Sequence, residues 1–115
     1  MYKTQVKSIG KDAHVFNSEK MIILFGENAP NELVDFCYII EINPVDEITE
    51  NNKLIIDDKE YAITKVGNAV QKNLNDLGHI TLKFDGSTHA EQAGTLYLED
   101  TSVPTIEKGT IIKIM

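Results

Sequence analysis

The segment Leu77-Gly78-His79-Ile80-Thr81-Leu82-Lys83-Phe84-Asp85-Gly86 carries the clearest structural pattern in the chain. Ile80, Leu82 and Phe84 alternate with polar residues, as the side chains of a strand with one buried face do. The pattern predicts a strand over 79–84, ended by a turn at Asp85-Gly86. The fold built around this strand is therefore expected to be rich in β-structure.

A short amphipathic helix is predicted immediately before this strand. Val70, Leu74 and Leu77 fall at i, i+4 and i+7, which places them on one apolar stripe. Asn68 is the expected N-cap, and Gly78 stands where a helix end favours positive φ. The helix and the strand are thus joined at His79.

Most of the remaining chain consists of short β-branched runs separated by turn residues. Strands are predicted at residues 2–9, 21–25, 37–42, 54–56, 61–64, 95–99 and 110–114. A second short helix is predicted over 32–36, with Asn31 as its N-cap. About seven or eight strands and two short helices indicate a mainly β protein, either a barrel or a sandwich. No repeat or linker interrupts the pattern, so residues 1–115 are expected to form a single domain.

The composition excludes several classes of function. The net charge is −7 in 115 residues, which argues against binding nucleic acid or an anionic membrane surface and favours basic protein partners or neutral small molecules. No apolar run approaches the roughly 20 residues that cross a bilayer, so no direct membrane insertion is expected. The N-terminus lacks the apolar run of a signal peptide. With Cys37 alone, no disulfide can form, and a cytoplasmic setting is expected.

His79 is the best candidate for chemistry. It shares one strand face with Thr81, Lys83 and Asp85, opposite the apolar face. An imidazole held at the start of a strand can act as a nucleophile, while Thr81 and Lys83 could support a phosphoryl group on it. The competing interpretation is that His79 is an ordinary solvated surface residue.

The other reactive residue types give weaker indications. His14 and His89 lie in polar loop sequences, and no pair of histidines has metal-ligand spacing. Cys37 opens an apolar run and is interpreted as a small buried hydrophobe. The acidic residues between 46 and 58 lack a calcium-loop pattern and are interpreted as a solvated face. No metal and no cofactor is predicted.

Several segments together resemble a known family. These segments are Phe36-Cys37-Tyr38-Ile39, Val66-Gly67-Asn68-Ala69-Val70 and residues 73–86, with further similarity at 21–26, 28–30 and 109–113. They resemble, in the same order, the glucitol/sorbitol-specific IIA components of the bacterial phosphotransferase system. The segment 77–86 is the most specific of them, and the resemblance runs along nearly the whole chain.

The resemblance implies a fold and a role. The family fold is similar to a small closed β-barrel. The role would be that of a cytoplasmic phosphocarrier. It would accept a phosphoryl group on a histidine from the histidine-containing phosphocarrier protein and pass it to the IIB domain of a glucitol/sorbitol permease with IIB/IIC subunits.

One position departs from the family pattern. Family members usually carry a histidine a few residues after the Phe-Cys segment, and it is commonly taken as the phosphorylated residue. Ile40 takes that place here and cannot accept phosphate. Either His79 is the working histidine, or the chain is a regulatory or binding member of the family that carries no phosphate. A small-ligand binding barrel is a third hypothesis and would require a sizeable apolar cavity.

Overall fold

A computed structural model describes residues 1–115 as eight strands, two α-helices and one 3₁₀ helix. The strands are β1 (Tyr2–Ile9), β2 (Met21–Phe25), β3 (Tyr38–Ile40), β4 (Lys53–Ile56), β5 (Lys59–Val66), β6 (Ile80–Lys83), β7 (Thr95–Leu98) and β8 (Ile111–Ile114). The helices are α1 (Asn31–Val34) and α2 (Val70–Leu77), and the 3₁₀ helix covers Ala13–Glu19. The prediction of a mainly β fold with two short helices is confirmed.

The eight strands close into a barrel in the order β1-β3-β2-β6-β7-β5-β4-β8. Tyr2 pairs with Ile114, so the first and last strands of the chain are neighbours and complete the closure. Two pairs, β2–β3 and β6–β7, are parallel, and the others are antiparallel. Closure leaves no sheet edge with unpaired backbone groups. The closed barrel implied by the family resemblance is therefore confirmed.

The interior of the barrel is filled by one apolar core. Alternate residues of every strand point inwards, and the core contains 23 buried residues, among them Ile22, Leu24, Ile40 and Leu82. An eight-stranded barrel is just wide enough for side chains to fill it. Side chains of this core fill the barrel interior, where the small-ligand hypothesis requires a cavity.

One end of the barrel is covered by α2 and by the segment 41–52. Val70 and Leu74 of α2, together with Val45 and Ile48, belong to the core. The backbone N–H of Val45 donates to Asn75 Oδ1 at 3.0 Å, which ties the segment to the helix.

A second, smaller cluster covers the outer face of β2. Phe25, Cys37 and Ile39 are buried there, and Val34 of α1 packs against them. This explains why residues 21–25 are apolar on both faces: Ile22 and Leu24 point into the barrel, while Phe25 points into the outer cluster. None of the helices is long and apolar enough to cross a membrane.

Both predicted N-caps were wrong, whereas Gly78 ends α2 with positive φ as predicted. Asn31 is the first residue of α1 and Pro30 is its N-cap, so this helix spans Asn31–Val34 instead of 32–36. Ala69, not Asn68, is the N-cap of α2, without a side-chain hydrogen bond. In both helices the chain turns through backbone contacts. At the start of α2, for example, the N–H of Val70 donates to the Gly67 carbonyl at 3.1 Å, so backbone satisfies one of the free N–H groups of the first turn.

Candidate functional site

The candidate site begins at the turn between α2 and β6. Gly78 ends the helix with φ of 67°. The N–H groups of Gly78 and His79 donate to the carbonyls of Leu74 and Asn73, at 3.0 and 3.2 Å. This pair of hydrogen bonds closes the end of a helix and requires one residue in the left-handed backbone conformation. Glycine adopts that conformation most easily. His79 thus lies one residue before β6, not inside the strand as predicted, and its backbone is fixed.

The imidazole of His79 is held by the neighbouring strand β2. His79 Nδ1 lies 3.2 Å from the carbonyl oxygen of Leu24. The ring also stacks on the phenyl ring of Phe25, with ring centroids 4.3 Å apart and planes inclined by 22°. The side chain is only partly exposed. Two contacts from consecutive residues therefore fix both the plane and the rotation of the imidazole.

The hydrogen bond to Leu24 decides the tautomer of the neutral ring. A carbonyl oxygen can only accept, so Nδ1 carries the proton and donates it. Nε2 then holds the lone pair, and it has no hydrogen-bonding partner in the chain. No carboxylate lies within ion-pair distance of the ring. Nε2 is consequently a nucleophile and a hydrogen-bond acceptor without competition from protein groups.

The structure places the two predicted supporting residues at different distances from the ring. Thr81 is two residues along β6 on the same outward face, and its hydroxyl makes no hydrogen bond to His79. Lys83 is four residues along, about 13 Å away by strand rise. Its Nζ lies 3.8 Å from Asp85 Oδ2. The group that fixes Nδ1 is thus the Leu24 carbonyl, and Lys83 is paired at the far end of the strand.

Half-exposed apolar side chains lie beside the histidine. A Cβ placed on Gly26 would come within 2.5 Å of Ile42 Cδ1, and one on Gly78 within 3.3 Å of Ile42 Cγ1. The Ile42 side chain therefore rests on these two glycines and keeps 38% of its surface exposed. Leu77, expected in the buried stripe of α2, is 44% exposed because the helix ends there at the edge of the barrel. We call His79, Phe25, Ile42 and Leu77 the histidine rim.

The remaining candidate residues lie apart from this rim. His14 is exposed on the 3₁₀ helix, and His89 is exposed in the loop before β7. Burial raises the pKa of the Cys37 thiol, whose Sγ donates to the Leu33 carbonyl at 3.2 Å. The interpretation of Cys37 as a buried hydrophobe fits this setting. No group of three or more potential ligands is arranged to hold a metal ion.

Sequence reasoning selected His79 as the candidate but did not predict the groups that hold it. A backbone carbonyl such as that of Leu24 leaves no trace in residue type. Phe25 looked like one more residue of an apolar strand, and only the pairing of β2 with β6, in which Leu24 faces Ile80, brings it under the imidazole. The sequence does not reveal the register between β2 and β6. That register brings together Leu24 and His79, which are 55 residues apart.

Fold and site together define a class of protein. The barrel is small, closed and filled with side chains, so a partner or ligand must be met on its outer surface. There, one partly buried histidine offers a single free ring nitrogen beside an apolar rim. Such a domain is suited to exchanging a small group with another protein and unsuited to enclosing a substrate.

The chain belongs to the family of glucitol/sorbitol-specific IIA components of the phosphotransferase system, whose family model matches residues 1–113. It is 32% identical over 116 residues to the glucitol/sorbitol-specific EIIA components of Shigella flexneri and Escherichia coli K12, covering 98% of this chain and 93% of each relative. The crystal structure of a phosphotransferase-system IIA component from Enterococcus faecalis V583 superposes with a TM-score of 0.88, at 36% identity and 99% coverage of both chains. The family resemblance predicted from the sequence is confirmed.

Proposed function

We propose that this chain is a cytoplasmic phosphocarrier that uses His79 as its phosphoryl acceptor. The phosphoryl group comes from the histidine-containing phosphocarrier protein and passes to the IIB domain of a glucitol/sorbitol permease. Family membership supports the general role. The observation that carries the assignment to His79 is the 3.2 Å contact between His79 Nδ1 and the Leu24 carbonyl, because it leaves Nε2 as the free nucleophile.

The proposed transfer step requires no proton transfer to or from an external acid or base. The Nε2 lone pair attacks phosphorus, an N–P bond forms, and the N–P bond to the donor's imidazole breaks. The donor ring leaves with the bonding electron pair. His79 keeps its Nδ1 proton, so the ring becomes an imidazolium that carries a dianionic phosphoryl group. Its hydrogen bond to Leu24 then becomes charge-assisted and stronger, which stabilises the phosphorylated state.

Thr81 and Lys83 are proposed as supporting residues of unequal weight. Thr81 lies on the same outward face, two residues from the histidine, where its hydroxyl can donate to a phosphoryl oxygen. Lys83 is more remote and shares its charge with Asp85. Replacing Thr81 with valine should slow transfer several-fold, about 1 kcal/mol for one hydrogen bond. Replacing Lys83 with glutamine should change the rate less than Thr81→Val does.

A second candidate function rests on Ile40. This residue is fully buried in the barrel core, and the family resemblance described above implies a histidine at its place. A chain that lacked any acceptor would be a regulatory or binding member that keeps the barrel and carries no phosphate. The same labelling experiment separates the two functions.

The experiment is phosphoryl transfer in a purified system. It contains labelled phosphoenolpyruvate, enzyme I, the histidine-containing phosphocarrier protein and this chain. The wild type is compared with His79→Gln, which keeps a polar side chain of similar length. His14→Gln and His89→Gln are the matched controls, because both histidines are exposed and remote from the rim.

Acid-labile label on the wild type and both controls, but not on His79→Gln, is the expected result. Label that survives His79→Gln would refute the assignment to His79. No label on the wild type, with both donor proteins shown to be active, would refute the carrier function and leave the regulatory one.

A further inference from the structure

The outer wall of the barrel carries two cations side by side where the first and last strands meet. Lys3 of β1 lies directly opposite Lys113 of β8. The neighbouring pair, Tyr2 and Ile114, belongs to the core, so both lysine side chains point outwards. Directly opposite residues of an antiparallel pair have Cβ atoms about 4.5–5.5 Å apart, and like charges there are destabilising. The fold therefore maintains a local repulsion at this position.

Neither lysine is neutralised by an acid, although the chain carries 18 acidic residues. No carboxylate lies within ion-pair distance of Lys3 or Lys113. Lys7, further along β1, is by contrast paired, with its Nζ 3.8 Å from Glu41 Oε2. In a chain of net charge −7, the junction of β1 and β8 thus presents two adjacent cations that are free to bind an anionic group.

An apolar hollow lies beside the two lysines. Its volume is about 290 Å³, and it is lined by Met1, Tyr2, Lys3, Lys113 and Met115. Met1 and Met115 are 74% and 46% exposed. Methionine side chains are unbranched and flexible, so they adapt to apolar partners of different shape. We call Met1, Lys3, Lys113 and Met115 the β1–β8 face, since this surface combines an apolar hollow with two cations.

The size and charge of the β1–β8 face select among its possible occupants. The hollow is smaller than the roughly 300–1,000 Å³ of small-molecule sites, so it suits a side chain of a peptide. Two lysines are fewer than the roughly 4–8 clustered cations that bind anionic lipid. In a symmetric dimer of this chain the face would meet itself and bring four lysines together. A peptide with carboxylates around an apolar residue meets both the charge and the shape of the face.

We infer that the β1–β8 face is a docking site for an acidic peptide segment of a partner protein. An apolar side chain of the segment enters the hollow, and flanking carboxylates pair with Lys3 and Lys113. In the closed order of eight strands, β6 lies four strands from β8, so the face is on the opposite wall from His79. A bound segment therefore leaves the histidine accessible, whether or not the chain carries phosphate.

The test measures peptide binding to the full chain by isothermal titration calorimetry at about 50 mM salt. The probe is the capped hexapeptide Asp-Glu-Leu-Leu-Asp-Glu. Two matched peptides change one property each: Asn-Gln-Leu-Leu-Asn-Gln removes the charge, and Asp-Glu-Ser-Ser-Asp-Glu removes the apolar side chains. The acidic apolar peptide is expected to bind with a Kd of about 100 μM, and each matched peptide at least about fivefold more weakly.

A charge variant locates the binding on the β1–β8 face. Lys3→Glu removes one cation and neutralises Lys113 opposite, so it should weaken binding of the acidic apolar peptide about tenfold. The variant should keep the fold, because an opposite-charge pair replaces a like-charge pair.

Lys65→Glu is the matched control. Lys65 also lacks a salt bridge, but it lies opposite Tyr97 on β5, which β4 separates from β8. This variant should change the Kd less than about twofold. Peptide-induced shifts of backbone amide resonances should be concentrated on β1 and β8 of the wild type.

Equal affinity of Lys3→Glu and Lys65→Glu, or of the charged and uncharged peptides, would overturn the inference, as would a Kd weaker than about 1 mM for the acidic apolar peptide. Two parallel measurements address the other occupants. Binding to vesicles of equal parts phosphatidylcholine and phosphatidylglycerol that is lost in Lys3→Glu would assign the face to lipid instead. A concentration-dependent dimer that is altered by Lys3→Glu would assign it to a second copy of this chain.

Discussion

The imidazole of His79 lies almost flat on the phenyl ring of Phe25, with centroids 4.3 Å apart and planes inclined by 22°. Phe25 is the last residue of β2 and His79 immediately precedes β6, and the antiparallel pairing of these two strands aligns them. Since the carbonyl of the preceding residue, Leu24, holds Nδ1, β2 alone fixes the ring. The orientation of the nucleophile therefore depends on contacts that can be changed without touching the histidine.

Phe25→Leu should loosen the imidazole. Stacked ring pairs contribute about 0.5–1.5 kcal/mol, so we expect phosphoryl uptake to slow by up to about tenfold. A nitrogen-15 spectrum of His79 should change from one dominant Nδ1–H tautomer to a mixture, which a loss of stability alone would not produce. Phe36→Leu is the control, since Phe36 packs on Phe16 and not on the histidine. Unchanged tautomers in Phe25→Leu would show that the Leu24 carbonyl suffices.

Gly78→Ala should destabilise the junction between α2 and β6. Its φ of 67° disfavours a side chain, and a Cβ there would lie 3.0 Å from the Gly26 nitrogen. The expected cost is about 2 kcal/mol in the free energy of unfolding, measured with urea. Gly94→Ala is the matched control, because its Cβ would meet only Asn73 Nδ2 at 3.6 Å. Equal stability of the two variants would mean that the turn relaxes.

Ile40→His should not create a phosphoryl acceptor. The Ile40 side chain has no exposed surface and lies inside the barrel, so an imidazole there would lose water without gaining a partner. We expect a loss of about 3 kcal/mol in the free energy of unfolding. The double variant Ile40→His with His79→Gln should remain unlabelled in the phosphoryl-transfer assay.

Ile42→His provides the matched control for that stability measurement. Ile42 is 38% exposed on the histidine rim, so its replacement should cost only about 1 kcal/mol. Label on the double variant would show instead that the barrel opens at β3 to admit a donor protein.

Stability should fall at high pH because of Tyr2. Burial raises the pKa of this tyrosine to about 12, with the negative charge of Glu41 acting in the same direction. The nearby Thr4 hydroxyl acts against this shift and lowers the pKa, and its effect is larger than that of Glu41. Its own hydrogen is donated to the Glu41 carbonyl at 2.7 Å, and Tyr2 Oη is left without a partner that accepts its hydrogen. The folded state thus holds the proton more tightly than the unfolded chain, whose tyrosine ionises near its ordinary value of 10.0.

This difference in proton binding contributes about 2–3 kcal/mol to the free energy of unfolding. The contribution is present in full below pH 10 and is lost as the pH rises towards 12. Tyr2→Phe should remove this part of the pH dependence. At pH 7 it should leave the free energy of unfolding equal or slightly higher, because the hydroxyl is buried without a hydrogen bond. A variant that is less stable at pH 7 would indicate that Tyr2 Oη has a partner in solution.

The strands and helices were predictable because each depends on local periodicity. The alternation of Ile80 and Leu82 and the spacing of Val70 and Leu74 were enough to place β6 and α2. Barrel closure was not predictable in this way, since it rests on pairs such as Tyr2 with Ile114, more than one hundred residues apart. The closed barrel was predicted only from the family resemblance.

The site was predictable to the extent that it depends on residue type. His79 stood out as a polar residue at a helix–strand junction. The 3₁₀ helix at Ala13–Glu19, between the predicted strands 2–9 and 21–25, was not predicted, because its short repeat leaves no clear pattern in the sequence. Leu77 was assigned to the buried stripe of α2, and its exposure follows from the position of the helix at the edge of the barrel.

The hydrogen bond between His79 and Leu24 joins residues 55 positions apart in the sequence. During synthesis, β2 leaves the ribosome long before β6 does, and until β6 pairs with it no group fixes the imidazole. The nitrogen proposed as the phosphoryl acceptor therefore acquires its defined protonation and orientation only at a late stage of biogenesis, once the barrel wall around it is assembled. On the proposed function, nascent or partly unfolded chains would therefore be poor phosphoryl acceptors.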